Sequence, residues 1–255
     1  MKRGNVLFLG ATGRMGPSII EEYLKNYRDY YDVILGYHHT KPRGGIKIRK
    51  ADLSSISSLK KAMKNVDVVV NLAAKSNPEA EFEELIKPNL IGAYNVFEAA
   101  RKSKVKRVIF ASSVHSVKGY PLGSKILHDD FPRPPNLYGA TKVFGEALCH
   151  VFSHKYGLSC LAIRIGAYVS DDKKKTICFT RENYDYVITQ RDFMQLVHKC
   201  IQAPKKIKFG ILSGSSDNKR KYMDLDFTKN LVGYKPRDDA YKICEEIKRR
   251  HKKHE

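Results

Sequence analysis

The chain has 255 residues, 42% hydrophobic and 29% charged, a composition that fits one globular core with an appended lobe and excludes a collagenous or disordered chain. Forty-seven Lys and Arg against 27 Asp and Glu give a net charge of +20, which attracts polyanions; yet the cations are spread as on a solvated face, which argues against a nucleic-acid partner. No apolar run approaches the ~20 residues of a membrane span, no signal-peptide pattern opens the chain, and the five cysteines form no C-x-x-C pair, so the expectation is a cytoplasmic protein with reduced thiols, no membrane contact and no metal.

Asn5 to Leu9 is a short apolar run ending at Gly10, and from Gly13 through Asn26 apolar residues recur at helical spacing, with Ile19, Ile20, Tyr23 and Leu24 on one face. Strand, glycine turn and helix thus follow one another. The spacing then predicts strands at Asp32 to Gly36 and Ile46 to Ile48, a helix at Ser57 to Lys64, a strand at Val66 to Leu72 and a long helix from Glu79 to Ser103. A strand at Arg107 to Ala111, a helix at Leu137 to Tyr156 and a strand at Ser159 to Ile165 complete the series. Continuously apolar strands are covered on both faces, so the order predicts an α/β protein built on a doubly wound parallel sheet of the Rossmann type. After Gly166 come a charged loop, a helix near Asp192 to Gln202, a strand near Ile207 to Leu212 and a terminal helix from about Asp238. The division expected is a dinucleotide-binding domain at 1–166 and a small substrate-binding lobe at 167–255, whose helix and strand pack back on the core.

The segment G-A-T-G-R-M-G at 10–16 sits between the first strand and the first helix. Gly10, Gly13 and Gly16 permit a tight turn, close approach of backbone to a pyrophosphate and close packing of helix on strand, while the helix N-terminus supplies amides. Thr12, Arg14 and Met15 fall in the same loop. An acidic residue that would bind a ribose 2′-hydroxyl is absent after the second strand, where the chain reads G-Y-H-H-T-K-P-R-G from Gly36. His38, His39, Lys41 and Arg43, with Arg14, offer donors to a 2′-phosphate instead, which favours NADP over NAD. Asp52, after the third strand, suits the adenine amino group or the cap of a surface turn, and Leu53 follows it.

Tyr138 and Lys142 are spaced Y-x-x-x-K on one helical face, so that an ammonium can lie near a phenol and favour its exchange of a proton with a substrate hydroxyl or carbonyl as hydride moves. Ser112 and Ser113 end the strand that begins at Arg107, at the edge of a parallel sheet where cofactors bind, and a hydroxyl there can hold the substrate oxygen.

On these stretches the chain resembles the extended short-chain dehydrogenase/reductase family, also described as NAD-dependent epimerases/dehydratases. The likeness rests on G-A-T-G-R-M-G at 10–16, N-L-A-A at 71–74, N-L-I-G-A-Y-N-V at 89–96, F-A-S-S at 110–113, Y-G-A-T-K at 138–142 and the R-D-F around Asp192. Within it the chain is most similar to uronate dehydrogenase-like sugar dehydrogenases. Its A-S-S-V-H-S-V-K-G-Y-P at 111–121 resembles their A-S-S-N-H-x-x-G-x-Y-P; L-Y-G-A-T-K-V-F-G-E at 137–146, R-I-G at 164–166 and G-Y-K-P at 233–236 add to the likeness.

The resemblance implies a nicotinamide-dependent dehydrogenase acting on a sugar or anionic sugar derivative, with Tyr138 as acid/base, Lys142 as its electrostatic partner and Ser113 holding substrate. It implies cofactor contacts at Leu72, Ala73, Ala74 and Asn89, although a mid-helix asparagine also reads as a backbone tie. Ser76 and His115 would face the sugar, with a loop cap and a solvent-facing imidazole as their alternatives, and Arg181 lies about where a carboxylate-binding arginine is expected. Val114 and Ala167 replace an asparagine and a serine of the family pattern. A homodimer is expected through the helices at about 79–103 and 137–156, with Val143, Leu148, Val151 and Phe152 beyond the Tyr138 face, residues that read equally as core. Nucleotide-sugar epimerase or dehydratase chemistry, and a non-catalytic NAD(P) sensor, are the alternatives.

Overall fold

The computed structural model describes residues 4–42, 45–179 and 181–251. Its strands are β1 (Gly4–Leu9), β2 (Tyr31–Tyr37), β3 (Lys47–Lys50), β4 (Val68–Asn71), β5 (Arg107–Ser113), β6 (Ser159–Ile165), the short pair β7 (Ala167–Val169) and β8 (Val187–Thr189), and β9 (Phe209–Gly214). The helices are α1 (Gly16–Asn26), α2 (Ile56–Ala62), α3 (Phe82–Leu85), α4 (Gly92–Lys102), α5 (Leu137–Tyr156), α6 (Gln190–Gln202), α7 (Asp226–Val232) and α8 (Ala240–His251).

Seven strands form one parallel sheet in the order β3-β2-β1-β4-β5-β6-β9, and β7 pairs with β8 in a separate ladder. Every residue of β5 and β6 is buried, the burial expected of strands covered on both faces. Successive side chains go to opposite sides. Val6, Phe8, Leu35, Ile109 and Ile163 pack toward Ile19, Phe193 and Leu196 of α1 and α6, whereas Leu7, Leu9, Val69, Val108 and Phe110 pack toward Phe97 and Phe152 of α4 and α5. Phe152, which reads from the sequence as either interface or core, is core, stacked 5.4 Å from Phe97; Val151 is 46% exposed.

The single helix expected from Glu79 to Ser103 is corrected to α3, a wide π turn at Ile86–Ile91, and α4. Pro88 has no N–H to donate, and a widened turn accommodates the break in the α ladder. The apolar run expected to start β4 at Val66 is paired only from Val68. Beyond Gly166 the charged loop folds into tight 3-10 turns at 171–179 and 181–186, and α7 is an element that the hydrophobic pattern did not disclose.

Chain from beyond residue 166 completes the sheet, because β9 pairs with β6 over Cys160–Ile165. The outward amide of Ser213 in β9 donates to Thr228 Oγ1 of α7 at 2.8 Å, while the other edge, β3, reads K-I-R-K. Arg107, buried at the start of β5, donates to the carbonyls of Cys200, Ala203 and Pro204 at 2.7–3.0 Å and so closes the C-terminus of α6. The reduced-thiol expectation is corrected for one pair: Cys178 and Cys244 are joined across 66 residues, their Cα atoms 5.2 Å apart, tying α8 to the 171–179 segment. Cys149, Cys160 and Cys200 are free and buried.

Candidate functional site

Between β1 and β4 the strand order reverses, and the loops leaving their carboxyl ends diverge and open a crevice. The cleft there has a volume of about 500 Å³ and is bordered by the glycine loop after β1, by Leu72, Ala73 and Ala74 after β4, and by Ser112 to His115 around the end of β5. Tyr138 and Lys142 of α5, and Ala167, Tyr168, Asn183 and Tyr186 from the later chain, complete its walls.

Gly10 has φ +84°, and a Cβ there would stand 2.7 Å from the backbone nitrogen of Ala73; at Gly16 a Cβ would stand 2.0 Å from the carbonyl oxygen of Ala11. Loop and helix therefore approach as closely as the dinucleotide turn requires. Thr12, Gly13, Arg14 and Met15 border the cleft, whereas Gly16 packs beneath it. No side chain caps the first turn of α1, no acid lies in that turn, and Pro17 fits where the N–H would be unpaired, leaving the helix N-terminus suited to a pyrophosphate. These residues fit a dinucleotide.

His38 and His39 are exposed, with ring centroids 3.7 Å apart at the end of β2, and His38 Nε2 lies 3.5 Å from Asp52 Oδ2. Asp52 Oδ1 accepts from Ser54 N and Oγ, and these bonds, ahead of the neighbouring histidines, hold its carboxyl below the usual range. Asp52 is thus a turn cap with one oxygen still toward His38. Leu53 packs beneath Gly92 and its carbonyl accepts from Asn95, so its side chain serves the core. Lys41 is exposed outside the cleft, and Arg43 lies outside the described residues. Asn89 borders no part of the cleft: it bonds Lys75 N and O and Thr141 Oγ1, fastening the loop after β4 to α5.

At the end of β5, Ser113 and Tyr138 border the cleft and are buried, with only 7% and 6% exposure, so they present little to bulk water. Ser113 Oγ accepts from His115 N, which leaves the hydroxyl proton free to donate. Lys142 is buried, its Nζ donating to Ala111 O at 2.8 Å and lying 5.4 Å from the Tyr138 ring centroid. Burial pushes this ammonium below the ordinary lysine value, and the nearby Tyr138 and Glu146 partly restore it.

His115 stacks edge-on against Tyr138 at 5.7 Å. Its pKa falls to about 4, chiefly through burial and secondarily through Lys118, so the imidazole is neutral at pH 7. Asn136 fixes the tautomer: its Oδ1 accepts from Gly139 N, so its Nδ2 must donate to His115 Nδ1, placing the imidazole proton on Nε2.

Ser76 borders the cleft mouth and is exposed. Arg181 is exposed and does not border the cleft. In a 3-10 turn residues three apart share a face, so Asn183 and Tyr186 turn inward together and Arg181 turns away.

Sequence reasoning missed the layer beneath the site. Glu146 and Arg164, each 3% exposed, form a two-pronged pair; Glu146 Oε1 also accepts from Ser112 Oγ at 2.6 Å, and Ser116 Oγ shares its one proton between Ser113 O at 2.7 Å and Glu146 Oε1 at 3.1 Å. This network grips the end of β5 from below. The available signal was spacing: Glu146 stands eight residues after Tyr138, near the same helical face. Lys118, Tyr168, Asn183 and Tyr186 were also missed.

A parallel sheet with a glycine turn at its switch point and a Ser-Tyr-Lys group at the same edge defines the nicotinamide-dinucleotide class. The family model described as "NAD dependent epimerase/dehydratase family" matches residues 6–205, and the chain belongs to that family. It is 30% identical to the uronate dehydrogenase of Pseudomonas putida over 92% of this chain and 84% of that protein. Against the L-arabinose 1-dehydrogenase (NAD(P)(+)) of Haloferax volcanii it is 28% identical, over 92% of this chain and 97% of that one. The crystal structure of glucuronic acid dehydrogenase from Chromohalobacter salexigens matches with a TM-score of 0.83 at 29% identity, covering 96% of this chain and 89% of that one. Among the described residues no helix is long and apolar enough to cross a membrane.

Proposed function

We propose that the protein is an NAD(P)-dependent sugar dehydrogenase of the short-chain type, working in the cytoplasm as a homodimer. The observation that carries the reading is the convergence of Ser113, Tyr138 and Lys142 on one buried end of the cleft whose other end is the glycine loop. Ser113 donates to the reacting oxygen of the sugar. Tyr138 takes the hydroxyl proton as the carbon–hydrogen bond breaks and a carbonyl forms; in reduction it returns that proton. Bound nicotinamide supplies the hydride acceptor or donor. Lys142 stabilises the phenolate, the form of Tyr138 that takes the proton in oxidation and is left after giving it in reduction, and reaches the cofactor ribose. The relatives named above, a uronate dehydrogenase and an L-arabinose 1-dehydrogenase, support the sugar as substrate class.

NADP is the favoured cofactor, since no acid follows β2 directly and His38, His39, Lys41 and Arg14 supply donors nearby. The dimer face is the exposed side of α4, α5 and the π turn, where Ile91, Tyr94, Phe144 and Val151 are 38–47% exposed. The test is a panel of aldoses, uronates and sugar phosphates followed by nicotinamide absorbance with each cofactor. Tyr138→Phe is expected to lower kcat by ~10²–10⁴-fold with cofactor Kd nearly unchanged, and NADP to bind ~10-fold more tightly than NAD. Near-normal turnover in that variant would overturn the catalytic assignment, and equal cofactor affinities would overturn the NADP preference.

A further inference from the structure

Among the described residues the cations bordering the cleft are Arg14, Lys118 and Lys142, and no Asp or Glu borders it. Arg14 belongs to the glycine loop, and Lys142 is committed to Ala111 O and the phenol. Lys118 donates no hydrogen bond among the described residues. It is half-buried, forms no ion pair among the described residues, and holds its Nζ 5.4 Å from the ring centroid of Tyr186. A half-buried ammonium facing a space without acids raises the affinity of that space for an anion.

Its neighbours are donors too. The Tyr186 hydroxyl donates to Asn183 Oδ1, which leaves the Asn183 amide nitrogen to donate elsewhere, and His115 presents its Nε2 proton. In the motif that this stretch resembles, A-S-S-N-H-x-x-G-x-Y-P, glycine stands at the place of Lys118 and asparagine at that of Val114. One neutral polar group has gone and a charge has arrived three and four residues beyond His115 and Val114, while Arg181, the anchor suggested by resemblance, turns outward.

Resting on the sugar dehydrogenase reading, we propose that Lys118, with Asn183 and His115, forms an anion subsite that holds the negatively charged group of the sugar substrate, a carboxylate or a phosphate, while its reacting carbon faces Tyr138. A charge-assisted bond at this depth gives an anionic sugar an advantage of ~10-fold or more over its neutral counterpart.

The experiment compares kcat/KM for D-glucuronate, D-glucose 6-phosphate and D-glucose in the unmodified protein, Lys118→Gln, Lys118→Arg and Arg181→Gln. One anionic sugar is expected to exceed D-glucose, and which one it is tells carboxylate from phosphate. Lys118→Gln is expected to collapse that ratio by ~10-fold, mainly through KM, with Lys118→Arg keeping most of it and Arg181→Gln leaving it in place. An equal loss on all three sugars in Lys118→Gln, a preference for D-glucose in the unmodified protein, or collapse of the ratio in Arg181→Gln would each overturn the subsite. Calorimetric titration of D-glucuronate and D-glucose 6-phosphate into the NADP-loaded protein reads the subsite without turnover. Binding that weakens in Lys118→Gln upholds it even where no sugar is oxidised, an outcome that would count against the dehydrogenase reading alone; no binding of either sugar overturns it.

Discussion

The two ends of the central sheet each bury an arginine, and they neutralise it by opposite means. At the amino-terminal end Arg107 meets the carbonyls of Cys200, Ala203 and Pro204, a fan of partial charges at a helix C-terminus with no carboxylate. At the carboxyl end Arg164 meets Glu146, a full charge whose remaining acceptor capacity is taken by Ser112 and Ser116. The dipole arrangement needs only that α6 end where it does. The ion pair needs several side chains in register, and it repays its desolvation only while all of them hold. The costlier solution stands directly below Ser113, where it fixes the end of β5 at the wall of the cleft.

Breaking the ion pair is expected to give the largest effect. Glu146→Ala leaves the Arg164 charge buried alone and is expected to cost ~3–5 kcal/mol in urea denaturation, with a fall in kcat as the end of β5 loosens. Replacing both partners by apolar residues, Glu146→Leu with Arg164→Met, is expected to recover most of the stability and little of the turnover; recovery of both would show that the network serves folding only.

The opposite end should behave differently. Arg107→Leu strips donors from the carbonyls that end α6 and is expected to lower stability by ~1–3 kcal/mol while kcat and cofactor affinity stay in place. A matching loss of kcat would erase the distinction between the two ends.

The smallest effect concerns pH. Burial, more than the adjacent Lys118 and Lys199, holds His115 and His198 at about 4, and the two lie at opposite ends of the sheet. Their unfolded values are near 6.5, so between those limits the unfolded chain binds more protons than the folded one, and stability falls as pH drops from about 6.5 to about 4. His198→Gln and His115→Gln should each make that decline shallower in denaturation series, and kcat near neutral pH should show no step from His115. A decline unaltered in both variants would place the titration elsewhere.

The first 166 residues were largely legible because parallel strands buried on both faces leave uninterrupted apolar runs, and β1, β2, β5 and β6 are such runs. The glycine loop and the Tyr138–Lys142 spacing were legible because their chemistry demands residue types at fixed short distances. The π turn was hidden because apolar periodicity continues through Pro88. The Glu146–Arg164 pair and the joined Cys178 and Cys244 come from tertiary approach across 18 and 66 residues, which local pattern does not encode. The outward placement of Arg181 was not legible, because sequence order places a residue in a turn without saying which way the turn faces.

The borders of the sheet have a consequence for what this protein does in a crowded solution. A seven-stranded open sheet exposes two rows of backbone groups onto which another chain can add a strand, the first step toward aggregation. One row belongs to β3, four residues long with three cations, which repels a second copy of itself in a chain already at +20. The other belongs to the apolar β9, whose Ser213 amide is already occupied by Thr228 of α7, so an incoming strand would have to displace a helix. Repulsion guards one border and prior occupation the other, and a chain cut after β9 would lose the second guard while keeping every residue that borders the cleft.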